Sequence, residues 1–153
     1  MKILFIGDVV GKSGRRALRR FLPELQDENE ADLTVVNAEN AAGGFGVTAG
    51  VLEEFLEQSE IDVLTSGNHI WDKREALDLI QDEPRLLRPH NYPEGTPGSG
   101  WTVATASNGV RVGVLNIMGT VFMHPTLDCP FSSANLAIEK KPSDVHAVLV
   151  DFH

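Results

Sequence analysis

The sequence has little cysteine, a shortage of basic residues and no long apolar run. Its single cysteine, Cys129, cannot form an internal disulfide bond, which favours a reducing compartment and predicts a cytoplasmic location. The 13 Lys and Arg residues are outnumbered by 22 Asp and Glu, and the formal net charge of −9 disfavours general nucleic-acid binding. The apolar residues 1–7 are too few to span a membrane, and no small-residue cleavage site follows them. The sequence therefore predicts neither a disulfide-stapled secreted domain nor a membrane protein.

The composition is that of one globular domain. Hydrophobic residues make up 42% and charged residues 23% of the 153 residues, close to the averages for folded domains. This length predicts a single domain over residues 1–153. The basic residues are concentrated near the start of the chain, where Arg15–Arg20 is either a solvated helix face or a local phosphate-binding cluster.

The first half of the chain alternates predicted strands with predicted helices. Short apolar runs predict buried strands at Lys2–Gly7, Leu33–Val36 and Ile61–Thr65. Apolar residues at helical spacing predict helices after the first two strands, with Ser13 and Thr48 as N-caps, and a third helix near Lys73–Ile80. Strands and helices that alternate at this spacing are typical of βαβ units in a parallel sheet.

The second half begins with an antiparallel pattern. Prolines and glycines over residues 84–100 predict an extended surface connection. Trp101–Ala106 and Val110–Ile117 flank Ser107-Asn108-Gly109, which predicts a hairpin with a type I′ turn because Asn-Gly suits its positive φ angles. Residues 119–135 are predicted to form a long loop.

A final apolar strand is predicted at Val145–Phe152. An apolar strand usually packs under a following element, so the domain is expected to be incomplete at its C-terminus. The apolar residues Trp101, Phe122 and Phe131 are expected to lie either in the core or at the interface of a homo-oligomer.

Six polar residues follow the predicted strands at equivalent places: Asp8, Glu39, Asn40, Asn68, His69 and His153. Because loops beyond the carboxyl ends of parallel strands line one edge of the sheet, these side chains are expected to converge. Carboxylates, carboxamide oxygens and imidazoles suit Mn, Fe, Zn or Mg, and either Asp8 or Glu39 could bridge two cations. Taken singly, each residue is better explained as a turn former, a cap or a surface residue. The six residues taken together, however, predict a metal centre.

A nucleotide-binding P-loop is the competing interpretation of Gly7–Ser13. This segment follows a strand and precedes a helix, but it has three residues, where the P-loop has four, between the first glycine and Gly-Lys-Ser. The shorter loop offers fewer backbone N–H groups, and Asp8 would place negative charge inside the cradle. The glycine-rich loop at residues 37–46 also lacks the dinucleotide spacing, and its glycines are expected to let the backbone pass close to the metal centre.

Six motifs occur in order along the chain: GDVVG at 7–11, NAEN at 37–40 followed by AAGGFG, SGNHIWD at 66–72, NIMG at 116–119, DCPF at 128–131 and VDFH at 150–153. Together they resemble the YmdB-like family of metallophosphoesterases, within the calcineurin-like superfamily. The resemblance implies an α/β fold arranged as an α/β/β/α sandwich. It also implies a two-metal centre, often of iron or manganese, and phosphodiesterase activity that includes cyclic nucleotides such as 2′,3′-cyclic phosphates.

The resemblance assigns roles to individual residues. It makes Asp8, Glu39, Asn40, Asn68 and His153 metal ligands, and it makes His69 the proton donor beside the metals. The D-x-H motif of the wider superfamily is Asp8-Val9-Val10 here, and Glu39 stands where that superfamily has Asp; the narrower family shares both departures. The mechanism expected is hydrolysis of a phosphodiester by a metal-activated hydroxide, with His69 protonating the leaving alkoxide.

A third difference from the family pattern bears on the expected phosphodiesterase activity. The family continues past the DFH strand and supplies a late H-x-H pair to the metals, whereas this chain stops at His153. The remaining histidines, His90, His124 and His146, are poor substitutes, because none follows a parallel strand at the expected end. The alternative function is therefore a non-catalytic regulatory protein that binds a nucleotide, RNA or a protein partner on the same fold.

Overall fold

The structure, a computed structural model, describes residues 1–123 and 126–153, and within them the chain forms two three-stranded sheets and four α-helices. The strands are β1 Ile3–Ile6, β2 Leu33–Asn37, β3 Val63–Thr65, β4 Trp101–Thr105, β5 Arg111–Ile117 and β6 Ala147–Phe152. The helices are α1 Gly11–Asn29, α2 Ala49–Leu56, α3 Ala76–Asp82 and α4 Pro130–Glu139, and a 3₁₀ turn spans Asn68–Trp71. His124 lies outside the described residues.

The first sheet is parallel throughout, in the order β1-β2-β3. Its central strand, β2, is buried along its whole length, as expected for a strand covered on both faces. Leu22 of α1, Val36 of β2 and Phe55 of α2 belong to one buried cluster between the helices and the sheet. Thr48 caps α2 as predicted, because its side chain accepts the N–H of Val51 at 3.4 Å. The predicted βαβ units are confirmed.

The second sheet has the order β4-β5-β6, with β4 antiparallel and β6 parallel to β5. The hairpin between β4 and β5 is confirmed, but the predicted type I′ turn is wrong. Gly109 has a φ of 82°, whereas Asn108 is not among the residues with positive φ, and the Gly109 N–H donates to the Ala106 carbonyl at 2.8 Å. These are the features of a type I turn followed by a left-handed glycine.

The two sheets pack face to face. Leu33 and Val35 of β2 share a buried cluster with Val114 of β5. On the outer face of the second sheet, Leu115 of β5 packs with Ala137 of α4. The layers therefore run helix, sheet, sheet, helix, which confirms the predicted α/β/β/α sandwich.

Two helix predictions need correction. Helix α1 begins at Gly11 rather than after Ser13: Val10 is the N-cap, its carbonyl accepts the N–H of Gly14 at 3.0 Å, and no side chain caps the helix. The predicted loop over residues 119–135 is wrong in its last part, where α4 begins at Pro130. Proline suits the first turn of a helix, because its missing N–H would have no partner there.

The segment after Pro84 is not the surface connection that its composition predicts. Leu86, Leu87 and Asn91 are almost fully buried, and Arg88 is buried with them. The Arg88 guanidinium donates to the backbone carbonyls of the same segment, at Pro89, Thr96 and Pro97, over 2.8–3.1 Å. These bonds satisfy backbone groups that would otherwise need water, so the segment can pass through the interior.

The predicted apolar patch divides between core and surface. Trp101 is partly buried against the cluster that joins β5 and α4, whereas Phe122 and Phe131 are exposed. None of the helices in residues 1–123 and 126–153 is long and apolar enough to cross a membrane.

Candidate metal centre

Asp8 lies in the turn that links β1 to α1. Its φ of 36° is in the left-handed region, which Asp tolerates better than most residues. Two backbone bonds tie this turn to the end of β2: the N–H of Val9 donates to Asn37 O at 3.0 Å and that of Gly11 to Asn40 O at 2.9 Å. The turn therefore holds the exposed Asp8 carboxylate beside the loop that carries Glu39 and Asn40.

Glu39 and Asn40 follow β2 directly, and the Glu39 side chain is buried, with 2% of the residue exposed. The Asn40 amide nitrogen donates to both acidic side chains, at 2.7 Å from Asp8 Oδ1 and 3.3 Å from Glu39 Oε1. Because one nitrogen contacts both, these two carboxylate oxygens are no more than about 6 Å apart. The predicted convergence of Asp8 and Glu39 is present.

Asn68 and His153 complete the group. His153 Nε2 lies 3.3 Å from Glu39 Oε1 and 3.1 Å from Asn68 Oδ1. The backbone of His153 continues the pairing with β5, because its N–H donates to Ile117 O at 2.8 Å. Gly67 is needed here: a Cβ at this position would overlap Glu39 Oε2 and lie 2.6 Å from His153 Nε2. All five predicted ligands thus form one contiguous group.

The chemistry of this group fits a cation. The buried Glu39 carboxylate has Asn40 and His153 as its side-chain partners, and across residues 1–123 and 126–153 no Lys or Arg forms an ion pair with it. A buried carboxylate without a cationic partner is costly unless another positive charge compensates it. The donor set of two carboxylates, two carboxamides and one imidazole suits hard and borderline metal ions. Within the described residues, no three His, Cys, Asp or Glu side chains alone form a metal-binding group.

His69 lies at the rim of the group. Its backbone N–H donates to Glu39 Oε2 at 3.3 Å, and its side chain is 41% exposed. The ring nitrogen Nδ1 is 2.7 Å from Asp72 Oδ2, so the carboxylate of Asp72 fixes the orientation of the imidazole. Sequence reasoning missed Asp72, although its position three residues after His69 in the SGNHIWD motif places both on one face of a short helical turn.

Asp151, two residues before His153, links the two sheets, and sequence reasoning missed this residue as well. Its Oδ2 accepts from Asn37 Nδ2 at 3.1 Å and from Thr65 Oγ1 at 2.5 Å, so one side chain of β6 links the ends of β2 and β3. The alternating pattern of β6 could have revealed Asp151. It is two residues from Leu149 and four from Ala147, which both face the first sheet, so Asp151 is expected to face that sheet too.

Tyr92 packs edge-on against Trp71, with ring centroids 5.8 Å apart, and its buried hydroxyl has no hydrogen-bond partner among the described residues. Burial raises the pKa of the Tyr92 hydroxyl, the Trp71 side chain and the positive charge of Arg88 lower it, and the negative charges of Glu39 and Asp72 raise it.

His90 and His146, which were expected to be poor substitutes for metal ligands, lie away from the candidate site. His146 precedes β6 at the end opposite to His153, and its N–H donates to Arg111 O at 3.1 Å. The backbone N–H of His90 donates to Asn116 O at 2.7 Å, and the Cα of His90 lies directly against Gly100. Their expected role as poor substitutes for metal ligands agrees with these positions.

Comparisons with known proteins agree on one family. The family model for YmdB-like proteins matches residues 4–153. The 2′,3′-cyclic-nucleotide 2′-phosphodiesterase of Bacillus subtilis is 44% identical over 153 residues, which is 100% of this chain and 57% of that protein.

Two solved structures are similar over the whole chain. A hypothetical protein from Thermus thermophilus gives a TM-score of 0.89 at 37% identity, and this chain covers 57% of it. A novel phosphatase from Mycoplasma pneumoniae gives a TM-score of 0.88 at 31% identity, with 55% covered. The chain thus spans little more than half the length of the relatives that it matches.

Proposed function

Because the chain belongs to the YmdB-like family, we propose that it is a metal-dependent phosphodiesterase whose site is the group around Glu39. The observation that carries the proposal is the pair of carboxylates, Asp8 and Glu39, held within about 6 Å of each other by Asn40. Phosphodiesterase and phosphatase are also the activities for which similar proteins are named.

The proposed ligands are Asp8, Glu39, Asn40, Asn68 and His153. The resemblance to the YmdB-like family favours iron or manganese, and the donor set is also compatible with zinc or magnesium. Because the two carboxylates are no more than about 6 Å apart, both would be within reach of the same pair of cations. When bound, such ions would lower the pKa of water to about 7 and offset the negative charge of the phosphate.

His69 performs the proton transfer in this proposal. Its Nδ1 is held by Asp72, which leaves Nε2 to face the substrate and give a proton to the leaving oxygen. Asp72 acts as a positioning residue, because its carboxylate accepts the Nδ1–H of His69; the form that donates is the imidazolium, which carries the transferred proton on Nε2. The half-exposed position of His69 lets a phosphodiester approach from solvent.

The proposed substrate is a small phosphodiester, with 2′,3′-cyclic nucleotides as the specific candidates because a relative is named for that activity. An RNA substrate, a cytoplasmic location and assembly into a homo-oligomer stay predictions from the sequence.

Hydrolysis of bis-(p-nitrophenyl) phosphate tests the proposal. We expect turnover with added Mn²⁺, its loss with a chelator, and more than about 100-fold lower activity in Glu39→Gln, since even partners that only orient a ligand are worth 10–100-fold. Glu24→Gln, at an exposed carboxylate of α1, is the matched control. Stabilisation by Mn²⁺ without turnover would favour the non-catalytic binding protein, and no response to Mn²⁺ would contradict both functions.

His69→Ala separates proton transfer from metal binding. We expect about 100-fold or greater loss of turnover with the Mn²⁺-dependent rise in Tm retained, because general acid catalysis contributes about 10²–10⁴-fold. Loss of both the turnover and the rise in Tm would make His69 a ligand or a structural residue.

A further inference from the structure

Phe45 is presented to solvent by a loop with a fixed conformation. Three glycines around it, Gly43, Gly44 and Gly46, have φ angles of 77°, 109° and 79°, which residues with a side chain rarely adopt. The loop closes on itself, because the N–H of Ala42 donates to Gly46 O at 3.0 Å. The backbone is thus shaped to hold the aromatic side chain in one place.

The same loop is attached to the proposed ligands. The N–H of Gly46 donates to Glu39 O at 2.5 Å, and the N–H of Gly44 donates to Asn40 O at 3.2 Å. A Cβ on Gly46 would lie 2.7 Å from Lys73 Cγ, so glycine allows the loop to pack against the segment that follows His69. The loop that carries Phe45 is therefore joined by backbone hydrogen bonds to the segment that holds Glu39 and Asn40.

The ring of Phe45 lies beside His69 and is not part of the core. The two ring centroids are 6.3 Å apart with an interplanar angle of 40°, and Lys73 Nζ lies 4.7 Å from the Phe45 centroid. Phe45 is 49% exposed. A rigid, half-exposed aromatic ring next to a proton donor needs an explanation other than core packing, because burial of its apolar area is incomplete.

We propose that Phe45 is a stacking platform for the nucleobase of the substrate. The inference rests on the proposed phosphodiesterase function and adds to it the residue that binds the base. Every nucleobase presents a π-face, so an exposed aromatic side chain binds bases with little sequence preference. A base on Phe45 places its ribose phosphate between this ring and the Glu39 group, within reach of His69.

Lys73 supports this arrangement. Its ammonium over the ring is a cation–π contact, which restrains the ring and places a positive charge at the same rim. The charge favours an anionic ligand such as a nucleotide over a neutral aromatic compound. No other aromatic ring in the described residues lies as close to His69.

Equilibrium binding to the full chain tests the platform. The probes are adenosine 3′-monophosphate, ribose 5-phosphate and adenosine, each titrated by NMR or calorimetry in the presence of Mn²⁺. We expect Phe45→Ala to weaken binding of both adenine compounds about tenfold, the scale of one base–aromatic stack, and to leave ribose 5-phosphate unchanged. Phe45→Trp retains or strengthens binding of the adenine compounds.

Phe21→Ala is the matched control. Phe21 is 48% exposed on α1, and a cation, Arg20, lies 5.4 Å from its ring centroid, yet it is remote from the loop of Phe45 in sequence and element. We expect this variant to bind all three probes like the unmodified chain. Equal weakening of all probes by Phe45→Ala would overturn the proposal, since it would mean that the ring only shapes the metal centre.

Different results would contradict the stacking platform and the phosphodiesterase function on which it rests. If Phe45→Ala leaves adenosine and adenosine 3′-monophosphate binding unchanged, or if the chain binds neither, the stacking platform is wrong whatever the turnover. If the adenine compounds bind through Phe45 but no chelator-sensitive turnover occurs, the platform stands and the hydrolase is wrong.

Discussion

Strands β2 and β3 of the first sheet are buried along their whole length, whereas the last strand of the second sheet leaves apolar side chains in solvent. Every residue of β2 is buried between the helices and the second sheet, but Val150 and Phe152 of β6 are exposed, as is Phe131 of α4 beside them. Three of the five candidate ligands follow the buried strands β2 and β3, Asp8 follows β1, and only His153 follows β6. Most of the candidate ligand set is thus positioned by the most enclosed part of the chain.

We expect Gly67 to be the position most sensitive to substitution, because the side chains of Glu39, after the first sheet, and of His153, after the second, both lie against it. In Gly67→Ala the added Cβ overlaps both side chains, so we expect about 10–100-fold weaker Mn²⁺ binding and a similar loss of turnover. The measurement is the concentration of Mn²⁺ that gives half the rise in Tm.

Gly50→Ala is the control for Gly67→Ala. A Cβ on Gly50, inside α2, meets nothing within 4 Å, so alanine there is expected to stabilise the helix by about 0.5–1 kcal/mol without effect on Mn²⁺. Normal Mn²⁺ binding by Gly67→Ala would show that the two side chains can separate without cost, which would contradict their close approach above Gly67.

Core substitutions in the two sheets are expected to differ in the free energy of unfolding. Leu64 of β3 is fully buried, so Leu64→Ala should cost about 2–5 kcal/mol through lost burial and the cavity that remains. Val150→Thr keeps the branched side chain of an exposed β6 residue and should change stability by less than about 0.5 kcal/mol. Urea unfolding measures both, and similar losses would mean that β6 is as tightly packed as β3.

The smallest expected effect is on pH dependence and comes from His90, beside the second sheet. Burial lowers the pKa of His90, and the nearby charges of Arg88 and Lys140 lower it further. As pH falls through about 6.5, the unfolded chain binds a proton that folded His90 does not, so the free energy of unfolding decreases.

His90→Asn tests whether His90 causes this decrease in the free energy of unfolding at low pH. The variant is expected to lose less stability between pH 7.5 and about 5 than the unmodified chain, while His146→Asn, at an exposed position before β6, keeps the original slope. The slope of Tm against pH is the readout, because the substitution itself changes Tm at every pH. An unchanged slope in His90→Asn would show that other groups cause the acid sensitivity.

The sequence predicted the parts of the fold that depend on periodicity and strand ends. The βαβ units, the hairpin and the convergence of Asp8, Glu39, Asn40, Asn68 and His153 all follow from where apolar runs stop. It did not predict burial of the segment around Arg88, because proline and glycine normally mark surface loops, and a guanidinium that satisfies three carbonyls is visible only in three dimensions.

Helix α4 was missed for a different physical reason. Its apolar residues do not form one clear stripe: Ala137 is buried, whereas Phe131 and Leu136 are exposed, so the periodicity that identifies α1 is weak here. Asp72 was missed because sequence reasoning considered only polar residues that directly follow the predicted strands. The structure adds the side-chain orientation, in which His69 Nδ1 lies 2.7 Å from Asp72 Oδ2.

The bonds from Asp151 to Asn37 and Thr65 have a mechanical consequence. A sandwich of two sheets deforms most easily by shear, in which one layer slides over the other. Because Asp151 crosses the layer boundary two residues before His153, such sliding would break its bonds to the first sheet before it displaced the imidazole. The histidine on the less enclosed strand is therefore linked to the opposite layer through Asp151, two residues before it.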